Sequence, residues 1–217
     1  MVDKLCTVRL VFNSLYKRYL NKNRKLRKKY LIMFCGLPGS GKTFIADILE
    51  DTSYFIKISS DDIKNLLRSK KIKFTLSDIF FIQHKIIVDL LREGFSVISD
   101  SNSDQVSYRN KLKAIARKNN AKPLVISLPV NMDLSIKRYI KKRNLKSTKK
   151  INSAIKMIKD YSIDLSKPRR AIIINHQISK KHTIMNLKKE LIKHDKIFYN
   201  VLKRLKEKSF GESGGRL

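Results

Sequence analysis

The chain is short of the residues that would place it in several classes of protein. Its 217 residues hold two cysteines, Cys6 and Cys35, no tryptophan, four prolines and seven glycines. Two cysteines cannot build a disulfide framework, and so little Pro and Gly excludes a collagenous or low-complexity chain. No apolar run approaches the ~18 residues of a membrane span, and the start, Met1 to Cys6, lacks the long apolar segment of a secretory signal. A reducing, cytosolic setting with no membrane partner is therefore expected. Acidic residues are the other shortage: 18 Asp plus Glu face 49 Lys plus Arg, leaving a net charge of +31. With 42 % apolar residues the chain can bury one sizeable core, whereas two full domains would be a squeeze.

So large a charge attracts polyanions, and a nucleic-acid partner is one reading of it. Compositional drift is the other, because Lys outnumbers Arg by 35 to 14 and Ile and Asn are also abundant. The excess is peripheral: residues 31–136 carry only +4 of the total, while 1–30, 137–170 and 171–217 carry the rest. If these three surfaces converge on one cleft, the charge serves substrate recognition; if they scatter, drift explains it better and a small substrate gains ground.

In the balanced region, short apolar runs alternate with helical periods. Tyr30–Cys35, Tyr54–Ile58, Phe95–Ser99, Pro123–Leu128 and Arg170–Ile174 read as strands. Lys42–Glu50, Ile63–Leu67, Leu76–Arg92, Gln105–Lys118 and Asp133–Arg143 have helical spacing, with Gly94 ending the long one. Such alternation predicts a three-layer α/β/α fold around a mainly parallel, about five-stranded sheet. We expect a basic extension over 1–29, a core domain over 30–175 with a basic lid near 137–150, and over 176–217 a packed helix with a frayed tail. The terminal helix is expected over Thr183–Leu205, and the extension is either a grip on a nucleic-acid backbone or an amphipathic helix folded on the core through Val8, Leu10, Val11, Leu15 and Leu20.

The most specific segment is Gly36-Leu37-Pro38-Gly39-Ser40-Gly41-Lys42-Thr43, between a predicted strand and a predicted helix. All fixed positions of the P-loop pattern are filled, in the strand-to-helix context that gives the pattern meaning. Its glycines let backbone N–H groups close around phosphates, Lys42 is placed to reach the β- and γ-phosphates, and Thr43 to ligate Mg²⁺. ATP and Mg²⁺ are the expected cofactors. No guanine-reading Asn-Lys-x-Asp segment and no Asp-Glu pair after Phe95–Ser99 point to a GTPase or a motor.

Carboxylates follow two strands. Asp61 and Asp62, after Tyr54–Ile58, stand where open α/β sheets bind ligands; one of them can act as a base, and either can instead cap the next helix. Asp100 follows Phe95–Ser99, at a metal or its water shell, or as a turn residue. The run Lys137–Arg143 puts Arg138 and Lys142 on one helix face, with Arg143 one residue further, as a phosphate lid or a solvated basic face.

Over roughly residues 30–165 this constellation resembles the P-loop kinases of the polynucleotide-kinase and zeta-toxin type. The shared order is the loop, the Asp61-Asp62 pair, Ile98-Ser99-Asp100-Ser101-Asn102, a helix with Tyr108-Arg109 near its middle, a strand and a basic lid. The resemblance implies that Asp61 is the general base, that Asp62 is structural, that Asp100, Ser101 and Asn102 lie near acceptor and metal, and that Arg138 and Arg143 face the phosphates. Lys64 stands where polynucleotide kinases carry an Arg that holds the acceptor's phosphate, and Lys142 where the family has its second lid Arg. The expected activity is transfer of the γ-phosphoryl of ATP to a hydroxyl, foremost a nucleic-acid 5′-hydroxyl. The alternatives are a small hydroxyl-bearing substrate, or ATP-regulated nucleic-acid binding without transfer.

Overall fold

The structure is a computed structural model that describes residues 4–101, 105–129, 131–163, 168, 171–174 and 180–203. Five strands form one all-parallel sheet in the order β2-β3-β1-β4-β5: β1 Lys29–Cys35, β2 Phe55–Ser59, β3 Ser96–Asp100, β4 Ala121–Ser127 and β5 Ile172–Ile173. The expected three-layer α/β/α architecture is therefore present. Each side chain of β1 from Tyr30 to Cys35 is fully buried, because a central parallel strand is covered on both faces. Its alternation divides the core in two. Leu31, Met33 and Cys35 face one apolar cluster, Tyr30, Ile32 and Phe34 the other.

The first cluster is covered by α1 (Lys4–Val11), α3 (Ser60–Ser69), α4 (Leu76–Arg92) and α5 (Val106–Lys118). The second is covered by α2 (Lys42–Glu50), α8 (Lys180–His194) and α9 (Ile197–Leu202). Between β4 and β5 lie α6 (Met132–Lys142) and α7 (Thr148–Ile163), which pack on each other. Long α4 begins at a capping box, in which Thr75 accepts from the Asp78 N–H and Asp78 accepts from the Thr75 N–H. It stops at Gly94, whose φ of +93° suits glycine.

Several elements differ from the sequence expectation. Helix α3 starts three residues earlier than the pattern Ile63–Leu67, and α5 starts at Val106, so Tyr108 and Arg109 belong to its first turn rather than its middle. Helix α7 was not anticipated. The single terminal helix is two, because Asp195 Oδ1 takes the Ile197 N–H and Oδ2 takes the Tyr30 hydroxyl at 2.6 Å, which turns the chain between α8 and α9. At the N-terminus, Val8, Val11 and Tyr16 are buried in the first cluster, with a π-helical turn over Phe12–Tyr16 bringing the tyrosine inward. Asn102, Leu205 and the tail over 211–217 lie outside the described residues.

Candidate active site

The C-terminal ends of β1, β2 and β3 open into one cleft of about 930 Å³, at the edge where open α/β sheets take ligands. Its floor is the loop between β1 and α2. Gly39 and Gly41 adopt φ of +83° and +101°, conformations that side chains rarely take. Gly41 is the N-cap of α2, and no side chain caps it; the positive end of the helix faces the loop. The Lys42 ammonium is buried inside this turn and donates to the carbonyls of Gly36 and, at 3.0 Å, Leu37. Ser40 Oγ is buried without a hydrogen-bond partner. An ammonium held inside a loop, a helix start without a side-chain cap and an unpartnered hydroxyl fit a phosphate group.

Gly39 also sets how closely α6 approaches. A Cβ there would lie 2.2 Å from the Ser135 carbonyl oxygen and 3.2 Å from the Tyr139 nitrogen. The basic helix therefore rests backbone to backbone on the loop.

Beside the loop, Thr43 Oγ1 lies 3.4 Å from Asp100 Oδ1. Burial pushes the Asp100 carboxyl up to about 6, against the pull of Lys57; Asp47 adds to the rise, and Lys142 and Thr43 oppose it. A hydroxyl and a desolvated carboxylate are oxygen donors of the kind that hold Mg²⁺ together with phosphates. Among the described residues no group of three or more His, Cys, Asp or Glu forms a metal centre by itself.

Across the cleft, Ser59 rather than either aspartate caps α3, its side chain accepting from the Asp62 N–H at 3.3 Å. Both aspartates occupy the first turn, where negative charge complements the helix dipole. Asp61 lines the cleft, with Lys64 Nζ 3.2 Å from Oδ1 and Arg143 Nη2 3.7 Å from Oδ2. Of the lid cations, Arg138, Lys142 and Arg143 all line the cleft. Burial lowers the pKa of Arg138.

The sequence-predicted residues Gly39, Gly41, Lys42, Thr43, Asp61, Lys64, Asp100, Ser101, Arg138 and Arg143, with Pro38, thus line one cleft, while Gly36 and Ser40 are buried in the loop beneath it. The basic surfaces do not all converge there. In the N-terminal cluster, Lys25 lies over the Phe95 ring at 4.9 Å, Lys29 donates to the Leu91 carbonyl and Lys28 pairs with Asp195. These are at the opposite ends of the strands.

Three features escaped the sequence reading. Lys57, on β2, is mostly buried beside Asp47 and Glu50; burial opposes its charge, but these carboxylates outweigh it and raise its pKa. Gln83 is fully buried, donates to the Ile58 carbonyl at 3.0 Å and accepts from the Tyr108 hydroxyl at 3.1 Å. That hydroxyl also meets Ser101 Oγ, which meets Ser99 Oγ. The network ties α4 and α5 to the ends of β2 and β3. Met157 and Tyr161 of α7 complete the cleft wall.

Solved structures with this fold include a gluconokinase from Sinorhizobium meliloti 1021, at 17 % identity and a TM-score of 0.52 over 88 % of this chain and 99 % of that one. The APS kinase of Mycobacterium tuberculosis, in complex with AMPPNP and APS, matches at 15 % identity and 0.53, over 76 % and 98 %. A structure from the PezAT chromosomal toxin-antitoxin system of Streptococcus pneumoniae matches at 14 % and 0.54, over 93 % and 96 %. No curated protein sequence matches the chain. The fold is what these similarities establish. Residues 31–162, most of the chain and all of the loop, cleft and lid described above, match the model of the AAA domain, and the chain belongs to that family of P-loop NTPases.

Proposed function

We propose that the protein is an ATP- and Mg²⁺-dependent kinase that transfers the γ-phosphoryl group to a hydroxyl, with a nucleic-acid 5′-hydroxyl as the acceptor. The observation that carries this reading is the meeting, in one cleft, of a phosphate loop and a separate carboxylate, Asp61, on the far wall. A hydrolase needs only water opposite its nucleotide; a carboxylate flanked by two cations suits an anionic or polar acceptor. Neighbours named as kinases share the fold and support a phosphotransferase.

Bound MgATP would supply the transferable phosphoryl group and the charge that neutralises it. Lys42 and the loop hold the phosphates, while Thr43 and Asp100 offer oxygen donors to the cation. Asp61 accepts the proton of the acceptor hydroxyl, oriented by Lys64 and Arg143. Arg138 and Lys142 reach the cleft from α6 and offset negative charge as it shifts toward the leaving oxygen. Lys64 and Ser101 are assigned to the acceptor side. The scatter of the N-terminal charge away from the cleft favours a small hydroxyl-bearing substrate as the second reading.

The test is incubation with γ-labelled ATP, Mg²⁺ and, separately, 5′-hydroxyl DNA, 5′-hydroxyl RNA and a panel of small hydroxylated metabolites. Label on oligonucleotide is expected. Label on a metabolite alone establishes the second reading, and nucleotide binding without any labelled acceptor removes transfer. Asp61→Asn should lower transfer at least ~100-fold, the usual scale of a general base, with ATP affinity nearly intact; undiminished transfer takes Asp61 out of that role.

A further inference from the structure

Next to the cleft lies a second, shallower groove of about 590 Å³ between α4 and α5 that no part of the phosphoryl-transfer reading uses. The two share a wall: Phe80 and Tyr108 line both, with ring centroids 5.0 Å apart. Along the groove, aromatic rings in mutual contact are flanked by cations. His84 stacks on Tyr108 at 5.4 Å with an interplanar angle of 26°, and Phe81 follows on the same helix. Lys85 places an ammonium 5.9 Å from the Phe81 ring, as does Lys4 from outside the lining, where it is paired with Asp78 at 3.0 Å, and exposed Arg92 and Lys111 stand on the flanks. Asp89 is the one acidic residue of the lining. Lys85, Arg92 and Lys111 come from the stretch of chain whose overall charge is nearly balanced, so these three cations are gathered by the fold rather than by composition.

The aromatic residues are half-buried, and they are not all consumed by core packing. Burial, with Lys111 adding to it, pulls the His84 pKa down to about 4, so that ring is neutral near pH 7. Its Nε2 is buried without a hydrogen-bond partner, so it is the ring face that the groove offers. Flat neutral rings flanked by ammonium and guanidinium groups match a strand of flat bases and phosphates, since bases stack on aromatic faces while cations track the backbone. An acidic peptide would use the cations and leave the rings idle. From Ser77 to Arg92 the wall of α4 runs roughly 22 Å, long enough for several nucleotides of a strand.

We propose that this groove is a binding track for a single-stranded nucleic acid, carrying the nucleotides that follow an acceptor end held beside Asp61. The proposal rests on the kinase reading only for the placement of that end. It commits to single strands, because bases in a duplex have no free faces for Phe81 and His84.

The test compares wild type with Lys85→Glu/Lys111→Glu, with the milder Lys85→Ser/Lys111→Ser and with Phe81→Ala. Fluorescence anisotropy with a labelled 5′-hydroxyl oligonucleotide of about ten nucleotides reads binding without transfer. We expect the Glu pair to weaken binding at least ~10-fold and to flatten the dependence of log affinity on log salt by roughly 1.4, two phosphate contacts' worth. The Ser pair should move both in the same direction, and Phe81→Ala should weaken binding ~5-fold or more, the low end of one lost stack. In steady-state transfer, KM for the ten-nucleotide acceptor should rise while KM for ATP and for a dinucleotide acceptor stays within twofold. Unchanged binding in the charge variants overturns the proposal. So does an indifferent Phe81→Ala, or duplex and heparin binding as tightly as the strand, either of which reduces the groove to a charged face. If no acceptor is phosphorylated at all, the kinase reading fails, and the anisotropy series decides the groove by itself.

Discussion

Replacing Gly39 by alanine probes the contact on which the cleft depends. Two costs arise. At φ +83° a side chain costs about 1–2 kcal/mol on backbone grounds alone. The new Cβ would also stand 2.2 Å from the Ser135 carbonyl oxygen, whereas Cβ contacts essentially never fall below 3.0 Å, so loop and α6 must part by about 0.8 Å or more. The clash is with backbone, and no rotamer relieves it. Gly94→Ala is the internal control: its φ is +93°, but its Cβ would meet only the far end of the Lys25 side chain, at 3.3 Å. For a chain of this size 1 kcal/mol is worth roughly 2–4 °C, so Gly94→Ala should lower Tm by roughly 2–8 °C. Gly39→Ala should lose at least as much. The two then diverge in thermal scans with a non-hydrolysable ATP analogue. At 100 times Kd a ligand adds ~2.7 kcal/mol of stability, a shift that wild type and Gly94→Ala should show. In Gly39→Ala most of it should vanish, because the loop that closes on phosphate and the helix that rests on the loop no longer fit. A Gly39→Ala protein with wild-type Tm and the full nucleotide shift would refute the reasoning.

Lys42→Ala should abolish that nucleotide-dependent shift whatever the acceptor, read in the same thermal assay. Lys57→Met leaves Asp47 and Glu50 crowded without their cation; a loss of about 1–3 kcal/mol is expected in urea unfolding, since half-exposed Asp47 can turn to water. The Tyr30 hydroxyl, then the Ile197 N–H and the charges of Lys122 and Lys28, hold the Asp195 carboxyl down at about 2, below its ordinary 3.8. Its stabilising contribution is therefore present above pH 3.8 and lost as pH falls toward 2. Asp195→Asn should lower Tm at pH 6 and be much less harmful at pH 2.5.

The loop was legible in the sequence because its chemistry is local: the glycines, Lys42 and Thr43 act within eight residues, between an apolar run and an amphipathic helix. Strand existence and order of elements were legible for the same reason. Helix α7 was hidden because it starts inside the expected basic lid and Lys149, Lys150, Lys156 and Lys159 dilute its apolar pattern, although Ala154 and Ile158 are buried. The break at Asp195 was hidden because the apolar stripe continues across it, and the reason for the break is a tyrosine 165 residues away. Gln83 gave no signal either. Within an apolar helical pattern a glutamine looks like a solvent position, and only the approach of Ile58 and Tyr108 gives it partners. Ser59 was missed for a different reason: its cap on α3 is local, to the Asp62 N–H, but the aspartates beside it are equally good caps by residue type.

Strand order has a kinetic consequence. Because β1 lies at the middle of the sheet, paired with β3 on one side and β4 on the other, the phosphate loop hangs from a segment that cannot open without separating both neighbours. Helix α6 follows the strand on the outer side of that pair and buries only Ser135. Amide exchange should therefore report two regimes at one site: β1 exchanging only when the whole sheet unfolds, and α6 through far smaller openings. A rigid cradle beneath an easily lifted cover lets ligand enter and leave by a local event while the chemistry below keeps its geometry.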